Sequence, residues 1–252
     1  MKNQDRGQRI PTPTHLLGLD DGAKEALELG GYMIRDITKG KLKSAYVLKP
    51  FGNAKRDLEE EGYKIISLEQ IANLRINNDQ FASVNSYNYW VREGYLYVPR
   101  KGIYLTKNSP IIANETTLEE AIYCSRGPGR NVYLTGDQVE KALADSCKLP
   151  SYFIPTSRLG EEKITSYLFG KEARDYGMLL KESGINEFVI CRCDQILGDK
   201  RRTRAIAEPM HIRNIESTDP TSAYFESHLS SFYSLGLLHG GEHNVFTRGV
   251  KR

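Results

Sequence analysis

Residues 93–105 read EGYLYVPRKGIYL, and this stretch carries the clearest structural signal in the chain. Large apolar residues run up to Val98, a Pro-Arg-Lys-Gly turn follows, and a second apolar run begins at Ile103. The pattern predicts a β-hairpin with strands at 95–98 and 103–106. Helical and strand patterns flank this hairpin without a regular alternation. We therefore expect an α+β fold in which helices flank a mixed sheet.

Other elements follow from apolar periodicity and from residues that favour helix ends. Ser67, Thr117 and Asp137 each precede a helical pattern. Residues 222–238 carry the longest amphipathic stripe and predict the longest helix, whereas residues 163–169 are expected to be extended. Further helices are expected at 54–61, 68–74, 84–92 and 172–181, and further strands at 32–37, 45–48, 63–66, 132–134, 188–193 and 204–207.

The predicted elements divide the chain into three parts. Residues 1–15 are expected to form a flexible tail, because two prolines there bracket polar residues. Residues 16–80 are expected to form an N-terminal α/β subdomain, and residues 81–252 a main α+β domain with the candidate ligand site. The polar stretch 77–86 and the loop 107–117 are the two candidates for the boundary.

The composition limits the class of protein. The chain has 252 residues, a net charge of +3 and four cysteines, which are too few for a disulfide scaffold. It lacks an apolar run of about 18 residues and a secretory signal pattern, so we expect a cytoplasmic protein without a membrane partner. The mild positive charge neither requires nor excludes nucleic acid. The 15 tyrosines could serve a core or a binding surface.

Two segments place arginines beside turn-forming residues. Arg126 and Arg130 flank a Gly-Pro-Gly turn, where backbone N–H groups can approach an anion and guanidinium groups can clamp phosphate oxygens. Arg158 ends the segment 154–158, which reads IPTSR. These residues predict an anion site. The alternatives are a solvent-facing turn for the first segment and an extended connection for the second, since the spacing is not that of a P-loop.

A glycine-rich segment near the end of the chain carries metal-ligating side chains. Residues 236–244 read GLLHGGEHN, so His239, Glu242 and His243 could hold a metal ion or supply an acid and a base. The alternative is a helix C-cap with histidines beside its negative end. The spacing differs from that of the HExxH zinc motif. The single His211 is interpreted as structural.

The segment 68–105 resembles a winged helix. The predicted order is helix, polar turn, short helix over 84–92 and hairpin with a basic tip at Arg100 and Lys101, and the hairpin sequence is similar to that of AbiEi-type antitoxin regulators. The resemblance implies DNA binding through residues 84–105, with Tyr89, Trp90 and Arg92 on the helix that enters the major groove. The alternative is a helix packed on a β-hairpin.

The later part of the chain resembles the selenoprotein-O family of kinase-like protein adenylyltransferases, over residues 125–244. The resemblance rests on the order of short motifs more than on any single one. The matching residues are Ser125-Arg126, Gly129-Arg130, Glu140, Ile154-Pro155-Thr156, Arg158, His211-Ile212-Arg213, Gly236, His239-Gly240 and Asn244.

The chain departs from that family at three points. A lysine is missing just before Ser125, the nearest one being Lys107. Glu242 is the only acid in the catalytic-loop segment, where the family has an aspartate. The sequence given ends at Arg252, before a second metal-binding motif could follow. The usual magnesium site would therefore be incomplete.

The sequence thus favours a protein that binds a nucleotide or another phosphorylated small molecule. Arg126, Arg130, Glu140 and Arg158 are the expected cofactor-binding residues for ATP and magnesium. His239, Glu242 and Asn244 are the expected catalytic residues, with Glu242 and Asn244 also as metal ligands. If the protein is an enzyme, we expect a phosphoryl or nucleotidyl transferase, with a protein as a further candidate substrate. The alternatives are a winged-helix DNA-binding regulator and an interaction protein without catalysis.

Overall fold

The computed structural model describes residues 34–37, 43–47, 49, 51–77, 84, 88–125, 132–149, 153–189, 203–212, 215, 222–226 and 245–251. The expected flexible tail at 1–15 lies outside these residues. Seven α-helices occur in the described part: α1 (Phe51–Glu60), α2 (Leu68–Ile76), α3 (Pro110–Ala113), α4 (Glu115–Ser125), α5 (Gly136–Ala144), α6 (Lys163–Phe169) and α7 (Ala173–Glu182). Single 3-10 turns precede α6 and α7, at Thr156–Arg158 and Gly170–Glu172.

Strands of the described residues join in one mixed sheet. They are β1 (Ile34–Ile37), β2 (Lys43–Val47), β3 (Lys64–Ile65), β4 (Asn88–Val98), β5 (Gly102–Thr106), β6 (Val132–Tyr133), β7 (Ser146–Lys148), β8 (Phe153–Pro155), β9 (Glu187–Val189), β10 (Ile206–Ile212), β11 (Ser222–Glu226) and β12 (Val245–Lys251). The main order is β1-β2-β12-β4-β10-β11-β9-β8. Among the described strands, only the pairs β12–β4 and β11–β9 are parallel. The expected α+β class, with helices flanking a mixed sheet, is confirmed.

The hairpin expected from residues 93–105 forms β4 and β5. Val98 pairs with Gly102 and Gly94 with Thr106, and Lys101 N donates to the Val98 carbonyl at 3.0 Å. The turn requires positive φ at two positions, 63° at Arg100 and 107° at Gly102. Glycine adopts such a φ at no steric cost, which explains why the turn ends on this residue.

Helices cover both faces of the sheet and enclose two cores. Along β4, Tyr89, Val91 and Tyr95 enter the core under α2, α6 and α7, whereas Trp90 and Leu96 enter the core under α1, α3, α4 and α5. This alternation follows from the period of two along a strand. Because both faces of β4 are buried, the strand reads as a continuous apolar run broken near its middle.

That break is a β-bulge in β4. Val91 pairs with Met210 and Gly94 pairs with the preceding Pro209, so Arg92 and Glu93 are extra residues on the bulged strand. Gly94 is required there, since a Cβ would lie 2.6 Å from Ser109 Oγ. Bulges redirect side chains and twist a strand locally. Here the bulge turns Glu93 toward the start of α2.

A buried arginine, Arg248, connects a strand near the end of the described chain with a strand near its beginning. Arg248 on β12 is fully buried, and its guanidinium lies 4.8 Å from the Tyr46 ring and 4.7 Å from the Tyr89 ring. It donates to Ser44 Oγ at 2.7 Å and to the Tyr89 hydroxyl at 3.0 Å. Cation–π contacts of this kind gain strength when water is excluded.

The sheet and one core extend across the expected boundary near residue 80. Strand β2, from the first part, pairs with β12 at the end of the described chain. Arg75 on α2 donates to the Tyr176 hydroxyl on α7 at 2.7 Å, with both side chains buried. The division into 16–80 and 81–252 stays a prediction, but these two parts share a sheet and a hydrophobic core.

Three expected elements are wrong. The helix expected at 84–92, which the winged-helix interpretation of 68–105 required, is strand from Asn88 onward, because the alternating aromatic residues there pair with β10 and β12. Residues 163–169 form α6 rather than an extended segment, since four of them share one buried helix face. Residues 222–226 form β11, paired with β9 and β10, and the remainder of the expected helix at 222–238 lies outside the described residues.

Candidate ligand-binding cleft

A surface cleft of about 240 Å³ lies between α3 and α5. Small apolar residues form part of its wall: Pro110, Ala113 and Ala142. The polar part of the wall consists of three amides and two charged side chains: Asn108, Asn114, Gln138, Lys141 and Asp145. Apolar walls with a few convergent polar groups are typical of small-molecule sites.

Helix capping fixes two of the amides. Asn114 Oδ1 accepts from Thr117 N at 3.0 Å, so Asn114 caps α4, and the expected cap Thr117 lies inside that helix. Gln138 forms a capping box with Thr135 at the start of α5, and its Nε2 donates to Thr117 Oγ1 at 3.2 Å. The two helix starts are therefore connected. Asn114 Nδ2 has no hydrogen-bond partner among the described residues and can donate to a ligand.

Tyr167 on α6 connects the two sides of the cleft. Its hydroxyl accepts from Lys107 N at 3.0 Å, after β5, and donates to the Asp145 carbonyl at 2.8 Å, after α5. Burial, with a smaller contribution from the Asp145 charge, raises the pKa of Tyr167 to about 12. The phenol therefore stays protonated at neutral pH and keeps both hydrogen bonds.

The two charged side chains of the cleft are four residues apart. Lys141 lies on α5 and Asp145 is its C-cap, and both residues are exposed. Asp145 Oδ2 accepts a long hydrogen bond of 3.4 Å from Asn108 Nδ2. Within the described residues neither side chain forms an ion pair with a separation of 4.0 Å or less. Both charges are therefore available to a ligand.

A buried carboxyl group lies below the loop that forms one side of the cleft. Ser109 N donates to the Arg92 carbonyl at 2.9 Å, which anchors the loop on the β4 bulge. The next residue, Glu93, is 1% exposed, and its Oε2 accepts from Leu68 N at 3.1 Å. Burial raises the pKa of Glu93 from 4.5 to about 8, although hydrogen bonds from the backbone of Glu93 and Leu68 and the charges of Arg92 and Lys107 oppose this shift. Glu93 is thus largely neutral at pH 7.

Two residues of the site expected from sequence lie in the described part. Glu140 is exposed on α5, between Gln138 and Lys141, but does not line the cleft. The Arg158 side chain is 56% exposed and pairs with Glu162 at 2.5 Å and with Glu161 at 3.8 Å. An anion at Arg158 would have to compete with two carboxylates.

The other expected site residues lie outside the described part of the chain: Arg126, Arg130, His239, Glu242 and Asn244. Their meeting around ATP and magnesium stays a prediction. Among the residues that the structure does describe, no group of three or more His, Cys, Asp or Glu could hold a metal ion. His211 is fully buried, with its ring 5.2 Å from that of Trp90.

The residues of the cleft are not among the site residues predicted from the sequence. A local signal existed, because Thr135 and Gln138 have the spacing of a capping box and Asn114 stands three residues before Thr117. Those patterns reveal helix starts. They do not reveal that two such starts lie side by side.

Comparison with known proteins identifies a fold. No family model and no curated protein matches the sequence. A solved structure described as "Accommodation of massive sequence variation in Nanoarchaeota by the C-type lectin fold" is similar, with a TM-score of 0.53 over 85% of this chain and 99% of that chain. The identity is 14%, so the similarity shows a C-type-lectin-like fold alone. In the described residues, no helix has the length and apolar character needed to cross a bilayer.

Proposed function

We propose that the protein is a binding protein whose C-type-lectin-like scaffold holds a small polar ligand in the cleft between α3 and α5. The observation that carries the proposal is a set of hydrogen-bonding groups in the cleft wall that have few or no partners among the described residues. The Asn114 amide and the Lys141 ammonium can donate, and the Asp145 carboxylate can accept.

The arrangement supports binding because the wall is preorganised. Capping bonds fix Asn114 and Gln138, and Tyr167 ties Lys107 to Asp145. A ligand would therefore bind without first ordering these backbone segments, which removes part of the entropic cost of association. The volume of about 240 Å³ lies below the range of about 300–1,000 Å³ that is usual for small-molecule sites. This favours a small ligand over a nucleotide.

The fold comparison supports a division between framework and binding surface. The similar structure is described as a fold that accommodates massive sequence variation. In the present chain, buried residues such as Trp90 and Arg248 hold the sheet together, whereas Lys141 and Asp145 are exposed. We infer that the exposed cleft residues set ligand choice and can change without loss of the fold.

Filling the cleft is expected to abolish binding. Ala113 is an exposed residue of the cleft wall, so Ala113→Leu should occupy the ligand volume without disturbing a core. The matched control is Ala144→Leu, since Ala144 also ends a helix and is exposed but lies outside the wall. The measurement is the shift in melting temperature with amino acids, dipeptides, sugars and Mg-ATP.

We expect at least one of the small polar compounds to raise the melting temperature of the native protein and of Ala144→Leu, but not of Ala113→Leu. The proposal is wrong if no compound gives a shift, or if every shift survives in Ala113→Leu. A shift with Mg-ATP alone that survives in Ala113→Leu would favour the phosphate site predicted from sequence.

A further inference from the structure

We infer that the ligand of this cleft is a small zwitterion, in which an ammonium and a carboxylate belong to one molecule, as in a free amino acid or a dipeptide. The inference rests on the proposed function and adds the class of ligand. It follows from the charges of the cleft wall, from their positions along α5 and from the unused hydrogen-bonding groups beside them.

The first observation is the order of polar groups along the cleft. The wall follows α5 from Gln138 to Asp145, a length of about 10 Å at 1.5 Å per residue. The Asn114 amide lies toward the Gln138 end, because both residues bond to Thr117 near the start of α4, whereas Asn108 lies beside Asp145. The Asp145 carboxylate stands at the other end, with Lys141 between. The wall is therefore polarised along its length.

The second observation is that Asp145 stands where its charge does not stabilise its own helix. It is the C-cap of α5, and the negative end of a helix dipole disfavours an additional anion. The hydrogen bond that its side chain accepts from Asn108 is long at 3.4 Å. A ligand ammonium placed there would gain from both the carboxylate and the helix end.

The third observation concerns the groups that can bind the carboxylate of the ligand. A ligand carboxylate can accept from Lys141 Nζ and from Asn114 Nδ2. Asn114 also caps the start of α4, whose positive end favours an anion. The two ends of one zwitterion would thus meet opposite charges, which a singly charged compound of the same size cannot do. The apolar residues Pro110, Ala113 and Ala142 would contact the carbon atoms between these groups.

Calorimetric titration with matched compounds tests the inference. L-alanine and L-alanyl-L-alanine are the zwitterions. N-acetyl-L-alanine lacks the cation, L-alanine amide lacks the anion, and N-acetyl-L-alanine amide lacks both. We expect a zwitterion to bind about tenfold more tightly than either singly charged compound, because each blocked end loses one charge-assisted hydrogen bond.

Substitution of two exposed residues of the cleft tests which charge of the ligand each residue binds. Asp145→Asn should weaken binding of the zwitterion about tenfold and leave binding of N-acetyl-L-alanine unchanged. Lys141→Gln should also weaken binding of the zwitterion about tenfold, but it should leave binding of L-alanine amide unchanged. The controls are Glu120→Gln and Lys148→Gln, which remove exposed charges outside the cleft wall.

The inference is overturned if the blocked compounds bind as tightly as the zwitterions. It is also overturned if the cleft variants change binding no more than the two controls do, or if neither zwitterion binds. Failure here is distinguishable from failure of the proposed function. If a sugar or another uncharged compound binds and Ala113→Leu abolishes that binding, the cleft is a ligand site but its ligand is not a zwitterion.

Discussion

Replacement of Trp90 by alanine is expected to lower the free energy of unfolding by about 4 kcal/mol. Trp90 is 1% exposed on the central strand β4, and its ring makes edge contacts with Phe51 at 6.0 Å and His211 at 5.2 Å. Truncation would remove most of this packing and leave a cavity between β4 and α1. Equilibrium unfolding in urea, monitored by far-ultraviolet circular dichroism, measures the change.

The matched control is Tyr133→Ala on β6. Tyr133 is 36% exposed, and its contact with the Arg204 guanidinium at 4.3 Å is worth about 1 kcal/mol at most. If Trp90→Ala left the unfolding midpoint unchanged and instead weakened binding to duplex DNA, Trp90 would lie on an exposed reading helix. That result would contradict the placement of residues 88–98 in the sheet.

The substitution Glu93→Gln is expected to stabilise the protein by about 3 kcal/mol at pH 7. The Glu93 carboxyl group has a pKa of about 8 in the folded protein, against 4.5 for the ordinary group. Between these two values the unfolded chain releases a proton that the folded protein keeps. The free energy of unfolding of the native protein should therefore fall by about 1.4 kcal/mol per pH unit across this window.

Glutamine has no proton to release, and its side-chain oxygen can still accept from Leu68 N. The advantage of Glu93→Gln should therefore be small near pH 4.5, grow with pH and level off above pH 8. Urea unfolding at pH 5, 6, 7 and 8 measures the difference between the two proteins, and Glu140→Gln serves as an exposed control. A constant or decreasing difference with pH would show that Glu93 is ionised in the folded protein.

Local sequence signals predicted the parts of the fold that local interactions stabilise. The β4–β5 hairpin follows from two apolar runs around a turn that ends at Gly102, and the start of α2 follows from Ser67 with its capping box. In each case the residues that decide the structure lie within a few positions of one another. Such signals need no knowledge of the remaining chain.

Two of the three wrong predictions arose where distant pairing decides the structure. Residues 88–92 are a strand because β10 and β12 lie on either side, and β12 is more than 150 residues further along the chain. Residues 222–226 have a helical stripe but pair with β9 and β10. Intrinsic propensity spans only about 1 kcal/mol per residue, so tertiary pairing overrides it.

The cleft could not be predicted for the same reason. Its two sides come from residues 108–114 and 138–145, and a strand and a helix separate them in the sequence. The packing of α5 against β5 brings these sides together, and hydrogen bonds of Tyr167, Gln138 and Asn108 connect them. The raised pKa of Glu93 likewise depends on burial. The tyrosine-rich sequence around Glu93 does not reveal that this carboxyl group is buried.

The most direct test of binding at the cleft is an NMR titration of the ¹⁵N-labelled protein with L-alanyl-L-alanine. The side-chain amide signals of Asn108, Asn114 and Gln138 report on three separate points of the cleft wall. We expect these signals, and the backbone signals of Lys141 and Asp145, to shift together along one saturable curve that Ala113→Leu abolishes. Saturable shifts confined to residues outside the cleft, or no shifts at all, would contradict the assignment of this cleft as the binding site.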